Sequence, residues 1–339
     1  MELGDYRAQI DEIDHKLVEL FAKRMDVAAG IAAYKKEHGL PVLDPVRERE
    51  KLQKTVQSAP EALRDYTASL YSLLFELSRC YQNRLLGGDT ALTREIQTAM
   101  GETPKLFPTQ ASVACQGVAG AYSQLACDKL FKLPNIMYFA SFEAVFAAIE
   151  KGLCRYGVLP LENSTAGSVN AIYDLMMKHD FRIVRSVRLK VDHNLLVKPG
   201  TKRSDITEIY SHEQAIGQCS KFLNSLNGVR VIPCDNTAMA AKMVAEKGDR
   251  HAAAISSHPC AALYGLTCLN DSIQDSDNNY TRFICITKDP VIYAGANRIS
   301  LIIAFDNRPG ALYEILSKLA ALDINMTKLE SCPVAGSDF

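Results

Sequence analysis

Arg24 lies where a helix would be expected to carry an apolar side chain. Around it, Ile10, Ile13, Leu17, Leu20, Val27, Ile31 and Tyr34 recur at steps that alternate between three and four. That spacing predicts one long helix over residues 5–36, with a seam that packs on other helices. Arg24 falls on this seam between Leu20 and Val27. A charge there is costly unless a partner meets it. It either sets register or snorkels to water, or it builds an anion site inside a helical bundle. Lys35 follows eleven residues later. That is about three turns, so the two share a face about 16 Å apart along the axis. Two long side chains can close that gap onto one small dianion. Arg7 lies about 25 Å from Arg24 along a straight helix. It reaches the same molecule only from a second copy of the chain.

Two further segments bring polar groups to the same region. Asp44-Pro45 is a helix start, with Asp as cap and Pro at the first position. Arg47 and Glu48 then fall in the first turn, where the plain alternative is a solvated charge run. A third helix runs from about residue 60 to residue 86, with Leu63, Leu70, Leu74, Leu77 and Tyr81 at helical spacing. On it Ser78 and Gln82 are one turn apart and face the same way. Two Arg, a Lys, a Glu and a Gln in one helical module suit a dicarboxylate whose reaction needs no proton transfer.

A second site is expected far downstream. Asn278-Asn279-Tyr280-Thr281-Arg282-Phe283 joins a polar loop to the apolar run Ile284-Cys285-Ile286. This predicts a loop entering a buried strand, with Thr281 and Arg282 exposed at its mouth. Strand ends are where α/β clefts open. The plain alternative is a β-branched residue and a charge at a strand edge. Upstream, Gln116 to Ser123 forms a glycine turn after a strand, without the dinucleotide fingerprint. Asn163 and Ser164 follow another strand. Ser211, His212 and Gln214 open one helix, and Asn236 and Thr237 open another. Free N–H groups at such starts can bind a carboxylate. Each alone is more often a helix cap. Four on one expected rim point to a small-anion cleft.

The elements that must position these groups follow an α/β rhythm over residues 111–288. Apolar strands at 113–115, 136–139, 157–159, 209–210, 229–232, 252–255 and 283–286 alternate with helices at 141–151, 214–226 and 238–246. This predicts mainly parallel pairing and two lobes. Residues 184–197 cross between the lobes, and the strand from Tyr280 crosses back. Residues 89–110 read as a linker with a short helix near 92–100. In the tail, a strand over Ile299 to Phe305 precedes a turn at Asn307 to Tyr313 and a helix to Leu322.

Composition bounds the reading. A chain of 339 residues exceeds one ordinary core, so two or three domains are expected. A net charge of -1 gives no reason to expect nucleic acid or a membrane surface as partner. The start lacks the basic and apolar regions of a signal peptide, and no apolar run reaches transmembrane length. The 10 Cys are scattered without metal-ligand spacing. They read as reduced, mostly buried thiols of a cytoplasmic protein.

Arg7, Arg24, Lys35, Asp44, Arg47, Glu48, Ser78 and Gln82 together resemble the active-site pattern of the helical class of chorismate mutase. That resemblance implies an intertwined helical homodimer. In it, Arg7 of the partner chain, Arg24 and Arg47 hold carboxylates. Lys35 and Gln82 donate to the ether oxygen, Asp44 and Glu48 orient the substrate, and Ser78 lines the site. Thr281-Arg282-Phe283 and the polar motifs upstream are similar to those of prephenate dehydratase, with Glu213 in place of the usual Pro and Asn236 where Ser or Thr is common. This implies two α/β lobes like a periplasmic binding protein, with Thr281 as the hydroxyl donor. Asn163, Ser164, Ser211, His212, Gln214, Asn236 and Thr237 would surround the substrate. Arg282 would bind it or anchor the loop. Gly310, Ala311 and Leu312 resemble the ligand turn of an ACT domain, and Glu330-Ser331 its second ligand motif, with Cys332 in place of an Arg.

The expected organisation is a helical domain (1–88), a linker (89–110), a two-lobed α/β domain (111–288) and a partial α+β ACT domain (297–339). The expected substrates are chorismate and prephenate, with no metal or cofactor, in a homodimer or higher homo-oligomer. Weak or absent phenylalanine feedback is expected, because the sequence stops about halfway through an ACT unit. The rival from another class is a non-catalytic amino-acid or anion sensor. Arg24, Lys35, Glu48 and Gln82 together with Thr281 argue against it, since a sensor has no use for them.

Overall fold

A computed structural model describes residues 2–87, 90–305 and 307–331. The chain divides into two compact units, residues 1–94 with 303–339, and residues 95–302.

The first unit opens with α1 (Leu3–Glu37), a single helix of 35 residues. Asp44 caps α2 (Pro45–Ser58) by accepting from the Arg47 amide at 3.0 Å, and Pro45 takes the first position. A short 3-10 turn, Glu61–Leu63, leads into α3 (Arg64–Leu86), which ends at Gly87 with φ +50°. The helices pack along a stripe of α1 made by Arg24, Ala28, Ala32 and Lys35. Ala28 and Ala32 are its buried members, and α3 is the helix with most contact to α1. The expected apolar seam is a different stripe. Ile10, Ile13, Leu17, Leu20, Val27 and Tyr34 are all at least half exposed in a single chain. Arg24 therefore does not interrupt that seam but lies beside it. The small alanines one and two turns on let α3 approach, and a long side chain at position 24 can lie across α3.

The boundary between the units falls within α4 (Ala91–Glu102), most of which belongs to the second. The first lobe follows with β1 (Gln110–Gln116), α5 (Tyr122–Leu130), β2 (Leu133–Phe139), α6 (Phe142–Glu150), β3 (Tyr156–Asn163), β4 (Gly167–Ser168), α7 (Asn170–Lys178) and β5 (Arg182–Lys190). The second lobe holds β6 (Asn194–Val197), β7 (Glu208–Ser211), α8 (Glu213–Gln218), α9 (Ser220–Asn224), β8 (Arg230–Pro233), α10 (Thr237–Lys247), β9 (Ala252–Ser256), α11 (Pro259–Tyr264) and β10 (Thr267–Asn270). Then β11 (Tyr280–Thr287) returns to the first lobe. The sheets have the orders β2-β1-β3-β11-β5, with β4 beside β3, and β10-β6-β9-β7-β8.

Pairing is mixed rather than mainly parallel. β1 runs parallel to β2 and β3, and β7 to β8 and β9. The remaining pairs are antiparallel, and all involve β4, β6, β10 or β11. The crossings cause this: β11 re-enters the first sheet from the second lobe, against the direction of β3 and β5. Apolar cores lie on both faces of each sheet, built around Phe146 and Ile284, Phe131 and Val158, Leu196 and Ala240, and Leu195 and Ile255.

The glycine turn after β1 has a different task from the one expected. It docks the first lobe on the second. Tyr264 donates from its hydroxyl to the Ala119 carbonyl at 2.5 Å, and Ser257 Oγ to the Gly120 carbonyl at 3.3 Å. Gly120 has φ +86°, and a Cβ there would lie 2.7 Å from Cys260 Sγ. Only glycine satisfies both the backbone and the approach.

The tail departs from expectation. Ile299 to Phe305 forms no strand, and Ile299, Leu301, Ile302 and Phe305 are all more than half exposed. Among the described residues no neighbouring strand is present to pair with this segment, and an unpaired strand is not stable alone. The expected helix does form, as α12 (Ala311–Ala321) after Gly310 at φ +84°. It packs on α3, where Ser317 Oγ donates to Glu76 Oε2 at 2.8 Å. Cys332 and Phe339 lie outside the described residues. Among the described residues, no helix is long and apolar enough to cross a membrane.

Candidate active sites

In the helical unit, Arg24 reaches from α1 to α3. Its Nη1 donates to the Leu74 carbonyl at 2.9 Å and to Ser78 Oγ. Its guanidinium sits 5.8 Å from the centre of the Phe75 ring. Burial lowers the Arg24 pKa, opposed by Tyr71 and Glu48, and a guanidinium stays charged regardless. Glu48, in the first turn of α2, pairs with Arg79 of α3. Lys35 Nζ donates to the Val42 carbonyl at 2.6 Å, tying the end of α1 to the loop before α2. Gln82 is buried, and its Oε1 has no hydrogen-bond partner among the described residues.

Arg24, Glu48 and Ser78 thus converge where α1, α2 and α3 meet. Asp44 caps a helix, and Arg47 stays exposed, 3.9 Å from Glu50. Arg7 is exposed near the start of α1, and the helix runs unbroken from it to Arg24. The separation of about 25 Å therefore stands. Arg79 went unnoticed in the sequence. Its only signal is its place one residue beyond Ser78, facing α2.

In the second unit, strand register brings the key groups together. Thr281 of β11 lies opposite Asn163 of β3, and Arg282 opposite Glu162. Successive residues on a strand face opposite sides of the sheet. The expectation that Thr281 and Arg282 both stand exposed at the strand mouth is therefore corrected. Thr281 is only 9% exposed and Arg282 is half-buried. Arg282 Nε lies 2.8 Å from Glu162 Oε1, an anchoring pair.

Asn163 organises the Thr281 side. Its Oδ1 accepts from the amides of Thr165 and Ala166, both at 2.9 Å. Its Nδ2 donates to Thr281 Oγ1 at 2.9 Å and to Asn279 Oδ1 at 2.8 Å. Because Thr281 Oγ1 accepts, its own proton is left for another partner. Ser164 supports the same corner: its Oγ donates to the Asn278 carbonyl at 2.7 Å and accepts from the Tyr280 amide at 2.9 Å.

A cleft of about 390 Å³ opens beside this corner, lined by Thr165, Gln214, Gln218, Gln274, Asp275 and Asn279 among others. No Lys or Arg lines it; its polar groups are side-chain amides, the hydroxyls of Thr165 and Ser276, and the Asp275 carboxylate. Of the residues singled out in the sequence, Gln214 lines the cleft. Thr281 is two hydrogen bonds behind it, through Asn163 and Asn279.

The others have local tasks. Ser211 is fully buried and donates to the Ile255 carbonyl at 2.9 Å. His212 caps α8 by accepting from the Gln214 amide at 3.3 Å. Asn236 caps α10 by accepting from the Met239 amide at 2.8 Å, and Thr237 is that helix's first residue. Asp275 accepts from Ser220 Oγ at 2.6 Å, a bond that lowers its pKa. Asn279, Gln218 and Gln274 were not among the residues expected at the site. Among the described residues, no group of three or more His, Cys, Asp or Glu could hold a metal ion.

One unit is a two-lobed α/β body with an amide-lined cleft, and the other is a helical module with a half-buried arginine where three helices meet, so the chain carries two candidate small-molecule sites. Residues 6–83 match the chorismate mutase type II family, and residues 113–291 match prephenate dehydratase. The chain is 32% identical over 340 residues to the bifunctional chorismate mutase/prephenate dehydratase of Escherichia coli strain K12, covering 98% of this chain and 84% of that protein. It is 39% identical over 225 residues to arogenate dehydratase/prephenate dehydratase 2 of Arabidopsis thaliana, covering 66% of this chain but 58% of that one. The chain therefore spans less than two thirds of that plant relative's length. The crystal structure of Arthrobacter aurescens prephenate dehydratase in complex with L-Phe superposes with a TM-score of 0.58 at 25% identity, covering 66% of this chain and 76% of that one. The chain belongs to the bifunctional chorismate mutase/prephenate dehydratase family.

Proposed function

We propose that the protein rearranges chorismate to prephenate in its helical unit and converts prephenate to phenylpyruvate in its two-lobed unit. In the first step an ether C–O bond breaks as a C–C bond forms. Arg24 and Arg47 hold carboxylates, and Lys35 and Gln82 serve the ether oxygen. Glu48 and Asp44 orient the substrate, beside Ser78. Catalysis is electrostatic preorganisation plus selection of a compact conformer. In the second step carbon dioxide and hydroxide leave, and aromatisation drives the reaction. Thr281 donates a hydrogen bond from its hydroxyl to the departing hydroxide and keeps its proton. A Thr hydroxyl is a poor acid, so it acts as an oriented donor. The observation that carries this proposal is the polarity at Asn163, which makes Thr281 Oγ1 an acceptor and frees its proton. Separate assays of the purified protein with chorismate and with prephenate test it. Failure to turn over either one removes that half. Arogenate in the second assay reads whether this chain shares the activity named for the plant relative.

We read the mutase as a dimer with shared sites, in which Arg7 serves the partner's pocket. The exposed apolar seam of α1 supports this, since a second copy would cover it. The length of α1 between Arg7 and Arg24 supports it too. Mixing inactive Arg7→Ala chains with inactive Arg24→Ala chains should restore part of the mutase rate, because one of the two sites in a mixed dimer then carries neither substitution. Recovery of no activity in a mixture shown to exchange subunits would sink the shared site.

The boundaries 1–88, 89–110 and 111–288 remain our division of function, with 297–339 as a regulatory tail. The L-Phe in the Arthrobacter relative supports phenylalanine as an effector, held by Gly310, Ala311, Leu312, Glu330 and Ser331. The missing strand pairing at 299–305 argues for weak binding. Calorimetry with phenylalanine should show weak or no heat of binding, and a tight complex would contradict that. The free thiols among the described residues support a cytoplasmic setting.

A further inference from the structure

The chain of amides behind the cleft does not end at Asn279. Asn279 Nδ2 donates to Gln218 Oε1 at 2.8 Å, and His193 Nε2 lies 2.8 Å from the same oxygen. His193 stands in the short crossing between β5 and β6 and is 3% exposed. Its backbone is pinned on both sides, donating to Gln274 Oε1 at 2.9 Å and accepting from the Ile273 amide at 2.8 Å.

The direction of every bond in this chain can be deduced from one end. The amides of Thr165 and Ala166 can only donate, so the Asn163 atom facing them is oxygen. Asn163 then presents its NH2 to Thr281 and Asn279, so Asn279 presents oxygen to Asn163 and NH2 to Gln218. Gln218 must answer with oxygen. His193 Nε2 must therefore carry a proton and donate it. His193 Nδ1 has no partner among the described residues, which suits a bare lone pair better than a buried N–H. Burial also lowers the His193 pKa, against the Gln218 bond and Asp192, which favours the neutral ring. Asp192, the charged group that acts on the ring, is paired with Lys190 at 2.8 Å.

With Oε1 engaged twice, Gln218 has only its NH2 left for the cleft that it lines. An imidazole offering an acceptor at this point would instead invite the Gln218 amide to turn over. Asn279 would then face another NH2, and the bonds at Asn163 and Thr281 would lose their common direction.

We propose that His193 is a positioning residue of the dehydratase. Its Nε2–H fixes the amide of Gln218 and, through Asn279 and Asn163, keeps Thr281 oriented as a hydrogen-bond donor. This rests on the proposed role of Thr281, and the test separates the two.

The test is a double-mutant cycle on the full chain with prephenate. His193→Phe removes the donor but keeps a ring in the cavity, and it should lower kcat by about tenfold or more. His193→Gln supplies an amide donor and should recover most of that loss. In a Thr281→Ala background, His193→Phe should cost almost nothing further, because the group it positions is gone. An equal loss in both backgrounds, or no rescue by His193→Gln, would overturn the proposal and leave Thr281 in place. A near-normal rate for Thr281→Ala alone would remove Thr281 itself, and the His193 proposal with it. If His193→Phe does not fold, nitrogen-15 NMR of the wild-type ring decides. A proton on Nε2 supports the proposal, and one on Nδ1 overturns it.

Discussion

Thr281→Ala should lose on the order of a hundredfold or more in prephenate turnover while chorismate turnover stays at the wild-type level. The substitution removes the donor proposed to act as the hydroxyl departs, and donors of that kind are worth this much in the transition state. The fold should tolerate it. Asn163 Nδ2 keeps Asn279 Oδ1 at 2.8 Å, and only one of its two N–H groups, on a partly exposed side chain, loses its acceptor. The stability cost should be about 1 kcal/mol. Thr281→Ser restores the hydroxyl at the same place and should keep much of the rate. Both rates on protein with a normal melting curve decide the matter. Near-normal dehydration would take Thr281 out of the mechanism, and loss of both activities would mean that the two units are not independent.

Lys35→Ala should have the opposite pattern. Chorismate turnover should fall by at least a hundredfold if, as proposed, the ammonium faces charge that grows only as the ether bond breaks. Added prephenate should still be dehydrated at the normal rate. One feature complicates the substitution: Lys35 Nζ also holds the Val42 carbonyl at 2.6 Å, just ahead of the α2 cap. Lost anchoring would loosen the first turn of α2, which carries Glu48. Circular dichroism distinguishes the two, because unfolding of α2 lowers helicity while loss of the charge alone does not. A variant with full helicity and full mutase activity would contradict the role given to Lys35.

Much of this architecture could be read from residue order, for identifiable reasons. The cap at Asp44-Pro45, the long helix and the strand-helix rhythm each have a local signal of period or residue type, and each formed. Arg24 stands out because a charge among leucines is conspicuous, yet its stripe lies beside the apolar seam and not on it. A charge set beside a seam and one set within it differ by a single helical step. The tail strand failed for the opposite reason. Its local pattern was good, but a strand needs a partner that no local pattern supplies. Arg79 looked like one more surface charge until α2 was placed against α3. The chain from His193 through Gln218, Asn279 and Asn163 to Thr281 joins residues up to 118 positions apart. Neutral amides carry no periodicity and no charge, so nothing in the sequence joins them before the strands are in register.

The place of β11 in the first sheet, between β3 and β5, bears on how the protein is made. The second lobe is one continuous stretch between the two crossings, and all its strands are available once β10 has been synthesised. The first lobe begins earlier but stays open, because a central strand of its sheet comes last. Until residues 280–287 emerge, the largely buried β3 exposes an edge, and β5 lacks the one strand it pairs with among the described residues. Joining them closes a loop of more than a hundred residues, a slow step for a nascent chain. The second lobe is thus free to fold first, and the amide chain that ends at Thr281 can be completed only after β11 has emerged.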